Sequence, residues 1–132
     1  PKIYIRDSGI VHAQLELNNW EHIVGHPVAG LSYDGMVVEN LLQAAGERRQ
    51  AYYFRTQDGA EIDLVFESGG TPELAVEIRR SSAPALDKGF STACDALGIT
   101  ARYVVYPGDQ GYPLRRGAQA IPLGEMVGRL RG

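Results

Sequence analysis

Two neighbouring runs, AEIDLVF at residues 60–66 and LAVEIRR at residues 74–80, alternate apolar and polar side chains in the way that is typical of β-strands. Side chains of a strand have a period of two, so Glu77 and Arg79 are expected to share one face. By the same rule Asp63 is expected on the face opposite the apolar side chains of its own run. Two carboxylates beside a cation are what a divalent metal ion and a phosphodiester need.

The sequence SGGT at 68–71 predicts a turn that joins the two runs into a hairpin. Such a hairpin would bring the two carboxylates and the arginine to one patch, which predicts a nuclease-like site. The same side chains would also form an ordinary cross-strand ion pair on the exposed face of a sheet, worth at most about 1 kcal/mol. Spacing alone leaves both interpretations open.

Size and composition are those of one globular domain. The chain has 132 residues, which is enough to bury about two-thirds of its unfolded surface, and its net charge of -3 argues against a broad basic surface for nucleic acid. Cys94 is the only cysteine, so an internal disulfide and a multi-thiolate zinc site are excluded. No apolar run reaches transmembrane length, which predicts a cytoplasmic protein without a membrane partner. The strand-like start at residues 1–5, without a methionine, indicates a piece of a longer polypeptide.

The predicted elements give an α/β protein with an α-β-β-β-α-β core between Asp34 and Tyr106. Its sheet is expected to be mixed, since a helical crossover before the last strand makes that strand parallel to its neighbour. Residues 1–33 are expected to be an extension of the core domain, which is assigned to residues 34–132. The elements are a strand at 2–5, a short helix from 7 or 8 to 15, a loop at 18–32, a helix at 34–45, strands at 51–56, 60–66 and 74–80, a helix from Pro84 to 97, a strand at 102–106 and a closing helix near 123–130.

The apolar positions predict one contiguous core. In the first of the two runs, Ile62, Leu64 and Phe66 are expected to share one buried face. The residues expected in the core are Val37, Leu41, Ile62, Leu64, Val76, Ile78, Phe90, Leu97 and Val104.

The order of elements and the position of the acidic residues resemble the PD-(D/E)XK nuclease superfamily, which has a restriction-endonuclease-like fold. That superfamily carries an acid on the first helix, an Asp on the second strand and Glu-x-Lys on the third. The matching segments here are GAEIDLV at 59–65 and VEIRRS at 76–81.

A closer resemblance is to the domain of unknown function at the C-terminus of many predicted prokaryotic AAA+ ATPases. It extends over nearly the whole chain, and its motifs are specific as a set. They are KIY at 2–4, DSG at 7–9, YDGMVVENLL at 33–42, YFRT at 53–56, DGAEID at 58–63, KGF at 88–90, VVYPG at 104–108 and YPL at 112–114. This resemblance implies an ATPase module in the same polypeptide. The sequence has no Gly-Lys-Ser/Thr phosphate-binding loop, so no ATP site is expected in this chain.

The superfamily resemblance also implies a Mg²⁺ site. Its ligands would be Asp63, Glu77 and the backbone carbonyl of Ile78, because Mg²⁺ prefers hard oxygen donors. The helix acid would be Asp34 or Glu39. Both fit by sequence, and Asp34 lies where many superfamily members have a Glu.

Arg79 departs from the superfamily pattern, which has Lys at this position. Arginine supplies a positive charge and two hydrogen bonds to phosphate. Its guanidinium group is bulkier and planar, however, and it cannot act as a proton carrier in catalysis. The sequence therefore predicts a nuclease-like domain that is weakened or inactive and serves as an accessory or nucleic-acid-related module. The alternatives are an active Mg²⁺-dependent nuclease and a domain that only binds other proteins.

Overall fold

Within the part of the chain that the structure describes, one mixed sheet of eight strands forms the centre. The computed structural model describes the backbone of residues 2–7 and 12–16 and all of residues 32–132. In chain order the elements are β1 (Lys2–Asp7), β2 (His12–Glu16), α1 (Tyr33–Ala45), β3 (Gln50–Arg55), β4 (Glu61–Ser68), β5 (Thr71–Ile78), α2 (Lys88–Leu97), β6 (Ala101–Tyr106), β7 (Tyr112–Pro113), β8 (Ala118–Pro122) and α3 (Leu123–Arg131).

The strands lie in the order β2-β1-β3-β4-β5-β6-β8-β7. The hairpins β3–β4 and β4–β5 are antiparallel, whereas β5 and β6 are parallel and are joined through α2. The predicted α/β class, the mixed sheet and the α-β-β-β-α-β order are thus confirmed. None of the helices in the described part of the chain is long and apolar enough to cross a membrane.

Helix α1 begins and ends where its capping residues predict. The Ser32 side chain accepts a hydrogen bond from the backbone N–H of Gly35 at 3.1 Å, and Gly46 ends the helix with a φ of 66°. A side chain at that φ would be strained, so glycine is the favoured residue there. The buried stripe of the helix includes Val37, Val38, Leu41 and Leu42, and the helix packs against α3.

Helix α2 begins later than predicted. Its N-cap is Asp87, whose carboxylate accepts a hydrogen bond from the N–H of Gly89 at 3.1 Å, and the helix runs from Lys88 until Gly98. The prediction that Pro84 opens the helix was therefore wrong. Proline fits a first helical turn but supplies no side-chain acceptor, whereas aspartate caps the free N–H groups directly.

Residues 12–16 form a strand, so the predicted helix ending near residue 15 was wrong there. They pair antiparallel with β1, from Lys2 opposite Glu16 to Arg6 opposite His12. The segment HAQLE alternates polar and apolar residues, which suits a strand better than a helix. The rest of that helix prediction, at residues 8–11, and the predicted loop at residues 18–31 lie outside the described residues.

The buried side chains form two apolar layers, so the prediction of one contiguous core was wrong. Neighbouring residues on β4, β5 and β6 belong to different layers, which places the layers on opposite faces of the sheet. One layer lies with α1 and α3 and includes Val37, Leu41, Leu64, Phe66, Val76 and Ile78. The other lies with α2 and includes Phe54, Ile62, Val65, Phe90, Cys94 and Val104, with Leu97 partly buried beside it.

In the middle of strand β4, the alternation of its side chains between the two faces of the sheet is interrupted. Tyr52 lies opposite Val65 and Phe54 lies opposite Ile62, so Asp63 and its neighbour oppose a single residue of β3. This is a β-bulge, and it breaks the two-residue period. For that reason Ile62 packs on the α2 side although the residues two and four positions later pack on the α1 side.

Candidate functional site

The candidate site lies where β4 and β5 separate. The two strands pair as far as Leu64 opposite Val76. Beyond that pair, the carboxylate of Asp63 accepts a hydrogen bond from the backbone N–H of Ile78 at 2.9 Å. The following N–H, of Arg79, donates instead to Val105 of β6 at 2.9 Å. A side chain of β4 thus replaces a backbone partner, and the opening between the strands is lined by polar groups.

Asp63 and Glu77 place two neighbouring carboxyl groups in this opening. Glu77 is 5% exposed. Burial and then the charge of Asp63 raise the pKa of Glu77 to about 9, and they outweigh the opposing effect of Arg79. Burial also raises the pKa of Asp63, although the hydrogen bond from Ile78 acts in the other direction. The pair therefore retains a proton at neutral pH, since two adjacent carboxyl groups, one buried and one half-buried, resist double ionisation.

Arg79 lies directly against this pair. Its Nη2 is 2.5 Å from Oε2 of Glu77 and 3.5 Å from a carboxylate oxygen of Asp87, and its Nη1 is 3.4 Å from the carbonyl oxygen of Ile78. The 2.5 Å contact is a short, strongly polar one, whereas the two longer contacts are weaker. One guanidinium thus faces two of the three groups that the sequence predicted as Mg²⁺ ligands.

Of the two helix acids, Asp34 is the one that the fold brings towards the carboxyl pair. Its charge raises the pKa of Asp63, and its Oδ1 is 3.1 Å from Nε of Arg80. Glu39 lies further along α1, on the exposed side of that helix with Met36. Asp34 is thus the helix acid whose charge acts on Asp63, while it forms an ion pair with Arg80.

Three further residues, not singled out by sequence as site residues, border the cluster. Asp87 caps α2 and contacts Arg79, and Arg80 pairs with Asp34. Glu61 lies two residues before Asp63 on the same strand. Partial burial and the charges of Asp63 and Asp87 raise the pKa of Glu61. The signal for Asp87 was its position two residues before Gly89 at a helix start, which is typical of an N-cap.

The oxygen atoms of this cluster are the type of ligand that Mg²⁺ prefers. Other groups of the chain, however, already contact them. Asp63 accepts from Ile78, and Glu77 and the carbonyl of Ile78 both face the guanidinium of Arg79. The guanidinium of Arg79 already places a cation at two of the oxygen groups that Mg²⁺ would need. Over residues 32–132 and the two N-terminal strands, no group of three or more His, Cys, Asp or Glu side chains is arranged to hold a metal ion. In this arrangement the residues do not fit a divalent ion.

Comparison with known proteins assigns the chain to a family. The family described as "Domain of unknown function (DUF4143)" matches residues 29–126, which contain the whole candidate site. The chain belongs to the DUF4143 family. It is 35% identical over 127 residues to an uncharacterized protein of Mycobacterium bovis and, to the same extent, to an uncharacterized protein of Mycobacterium tuberculosis.

Each alignment covers 96% of this chain but 28% of the relative, so this DUF4143 chain spans little more than a quarter of the length of those proteins. No solved structure matches the chain significantly. The family assignment therefore comes without a described activity.

Proposed function

We propose that this DUF4143 chain is a PD-(D/E)XK-type domain whose metal site is closed by Arg79, and that it acts as a non-catalytic accessory module. The observation that supports the proposal most is the 2.5 Å contact of the guanidinium with Glu77, together with its approach to the carbonyl of Ile78. A cation fixed to the chain occupies the oxygen ligands that an ion would need. The domain keeps the shape of a nuclease site without the means to bind its metal.

The position of the cluster supports the superfamily part of the proposal. The carboxyl pair lies on adjacent strands where they separate, with an acid of the first helix nearby. This is the arrangement that the sequence resemblance implies for a PD-(D/E)XK site. A bare ion pair on an exposed sheet face would not require Glu77 to be buried.

The partner of this module is an AAA+ ATPase module in the same polypeptide, in the cytoplasm. Two observations support this part of the proposal. The sequence motifs resemble those of a domain that follows such ATPases, and the matched relatives are much longer than this chain, which leaves room in them for other modules. The ATPase would perform the chemistry, while this domain would present a surface to a protein or a nucleic acid.

The second candidate function is an active Mg²⁺-dependent nuclease. It is favoured by one observation: Asp87 lies 3.5 Å from Arg79 at the exposed start of α2 and offers the guanidinium another partner. If substrate and metal moved Arg79 to Asp87, the oxygens of Glu77 and Ile78 would become available. The sequence and the cluster alone do not distinguish DNA from RNA as the substrate.

A cleavage assay distinguishes the two candidates. The unmodified chain is expected to leave single- and double-stranded DNA and RNA intact in Mg²⁺ or Mn²⁺. Arg79→Lys is expected to recover weak cleavage, because the compact ammonium group contacts fewer oxygens than the planar fork of arginine. Product formation on gels, with EDTA as the metal-free control, is the measurement.

The carboxylate variants make this assay specific. Asp63→Ala and Glu77→Ala, each combined with Arg79→Lys, are expected to abolish any recovered cleavage. Arg80→Lys is the matched control, because it makes the same change one residue along and leaves the contact with Glu77 in place. Robust metal-dependent cleavage by the unmodified chain, lost in Asp63→Ala and Glu77→Ala, would overturn the non-catalytic proposal and support the nuclease.

A further inference from the structure

We infer that Arg79 is a built-in cation that takes the place of a divalent ion in this cluster, and that it joins β4, β5 and the start of α2. The inference rests on the proposed function and goes one step further. It assigns the cluster a structural role: the contacts of Arg79 hold neighbouring elements of the fold together.

The contacts of the guanidinium connect two of the three elements, and Asp63 connects the third to them. Through Glu77 and the carbonyl of Ile78 it is attached to the end of β5, and through Asp87 it reaches the N-cap of α2. Strand β4 is included because the carboxylate of Asp63 accepts a hydrogen bond from the N–H of Ile78, next to Glu77 on β5. A divalent ion bound by the same oxygens would connect the same elements, so the arginine and an ion are alternatives for one position.

The charge balance explains why a cation is needed. Glu77 is 5% exposed and Asp63 is half-buried, and buried carboxyl groups are costly unless a hydrogen bond or an opposite charge compensates them. The side chain of Arg79 is 32% exposed, and its guanidinium contacts three oxygens. A lysine would reach fewer of them, since its ammonium group is a point charge without the planar fork.

The inference predicts that removal of Arg79 creates a dependence on divalent cations. Arg79→Ala is expected to lower Tm by several degrees, because the carboxyl pair loses its counter-charge and a space lined with oxygens opens. Millimolar Mn²⁺ or Mg²⁺ is then expected to raise the Tm of this variant, because a ligand that binds only the native state stabilises it. The Tm of the unmodified chain is expected to be the same in the divalent salt and in NaCl of equal ionic strength.

Two variants keep the test specific. Arg129→Ala removes an arginine of α3 that is 44% exposed and pairs with Glu125 of its own helix, so it is expected to change Tm little and to gain no response to Mn²⁺. Arg79→Gln keeps a hydrogen-bond donor near Glu77 but removes the charge, and it replaces Arg79→Ala if that variant does not fold. It is expected to show the same selective response to Mn²⁺.

Two results would overturn the inference, and they differ in what they imply. If the Arg79 variants match the unmodified chain in Tm and ignore Mn²⁺, the arginine is not a counter-ion, although the site can still be non-catalytic. If Mn²⁺ stabilises the unmodified chain as strongly as the variants, an ion displaces the arginine, and the proposed closed site fails as well.

Discussion

Leu41→Ala should lower the free energy of unfolding by about 2–5 kcal/mol, and Phe90→Ala by about 3–5 kcal/mol. Both side chains are fully buried, Leu41 in the layer with α1 and α3 and Phe90 in the layer with α2. Because the layers lie on opposite faces of the sheet and share no residues, the two losses should add to within about 0.5 kcal/mol. Urea denaturation of the single and double variants measures all three values.

Met36→Ala is the matched control for the first of these changes. Met36 is on the same helix as Leu41 but is 37% exposed, so its truncation should change stability by no more than about 0.5 kcal/mol. A Leu41→Ala variant as stable as the unmodified protein would contradict the assignment of α1 to the core. Strong non-additivity between Leu41→Ala and Phe90→Ala would contradict the division into two layers.

The unmodified protein should become less stable as the pH rises, and Glu77→Gln should not show this loss. Burial and the charge of Asp63 raise the pKa of Glu77 from 4.5 to about 9 in the folded state. The folded state therefore binds this proton more tightly than the unfolded state does. The resulting stabilisation is complete below about pH 4.5 and is lost as the pH rises towards 9, with a slope of at most about 1.4 kcal/mol per pH unit.

Denaturation at several pH values between 5 and 9 measures this effect. The free energy of unfolding of Glu77→Gln minus that of the unmodified protein should increase with pH, because the amide does not ionise. Glu73→Gln, on the same strand but with its side chain 43% exposed, controls for the loss of one carboxylate and should leave the slope unchanged. A difference that stays constant or falls with pH would show that Glu77 is ionised in the folded protein.

Much of the fold could be predicted because it depends on local signals. Ser32 and Gly46 mark the ends of α1, and the two glycines after Ser68 mark the turn between β4 and β5. The period-two alternation of β5 placed Glu77 and Arg79 together, as the structure confirms. These signals depend on neighbours within a few residues, which a single sequence displays.

Most of the errors fall where distant residues determine the outcome, whereas the start of α2 was set by a local residue, the N-cap Asp87. The bulge opposite β3 moves Ile62 to the other layer, and its cause is the pairing of two strands rather than the sequence of one. The strand at 12–16 depends on β1 as its partner, since an isolated pentapeptide has no fixed structure. The contact between Arg79 and Asp87 likewise requires the end of β5 and the start of α2 to meet.

Titration calorimetry of Mn²⁺ into the unmodified protein at neutral pH tests the closure of the site most directly. If Arg79 occupies the ligands, no saturable heat should be observed, whereas Arg79→Ala should bind the ion and lose that binding when Glu77→Ala is added. Stoichiometric binding of Mn²⁺ by the unmodified protein, abolished by Asp63→Ala, would contradict the account and identify the cluster as a working metal site.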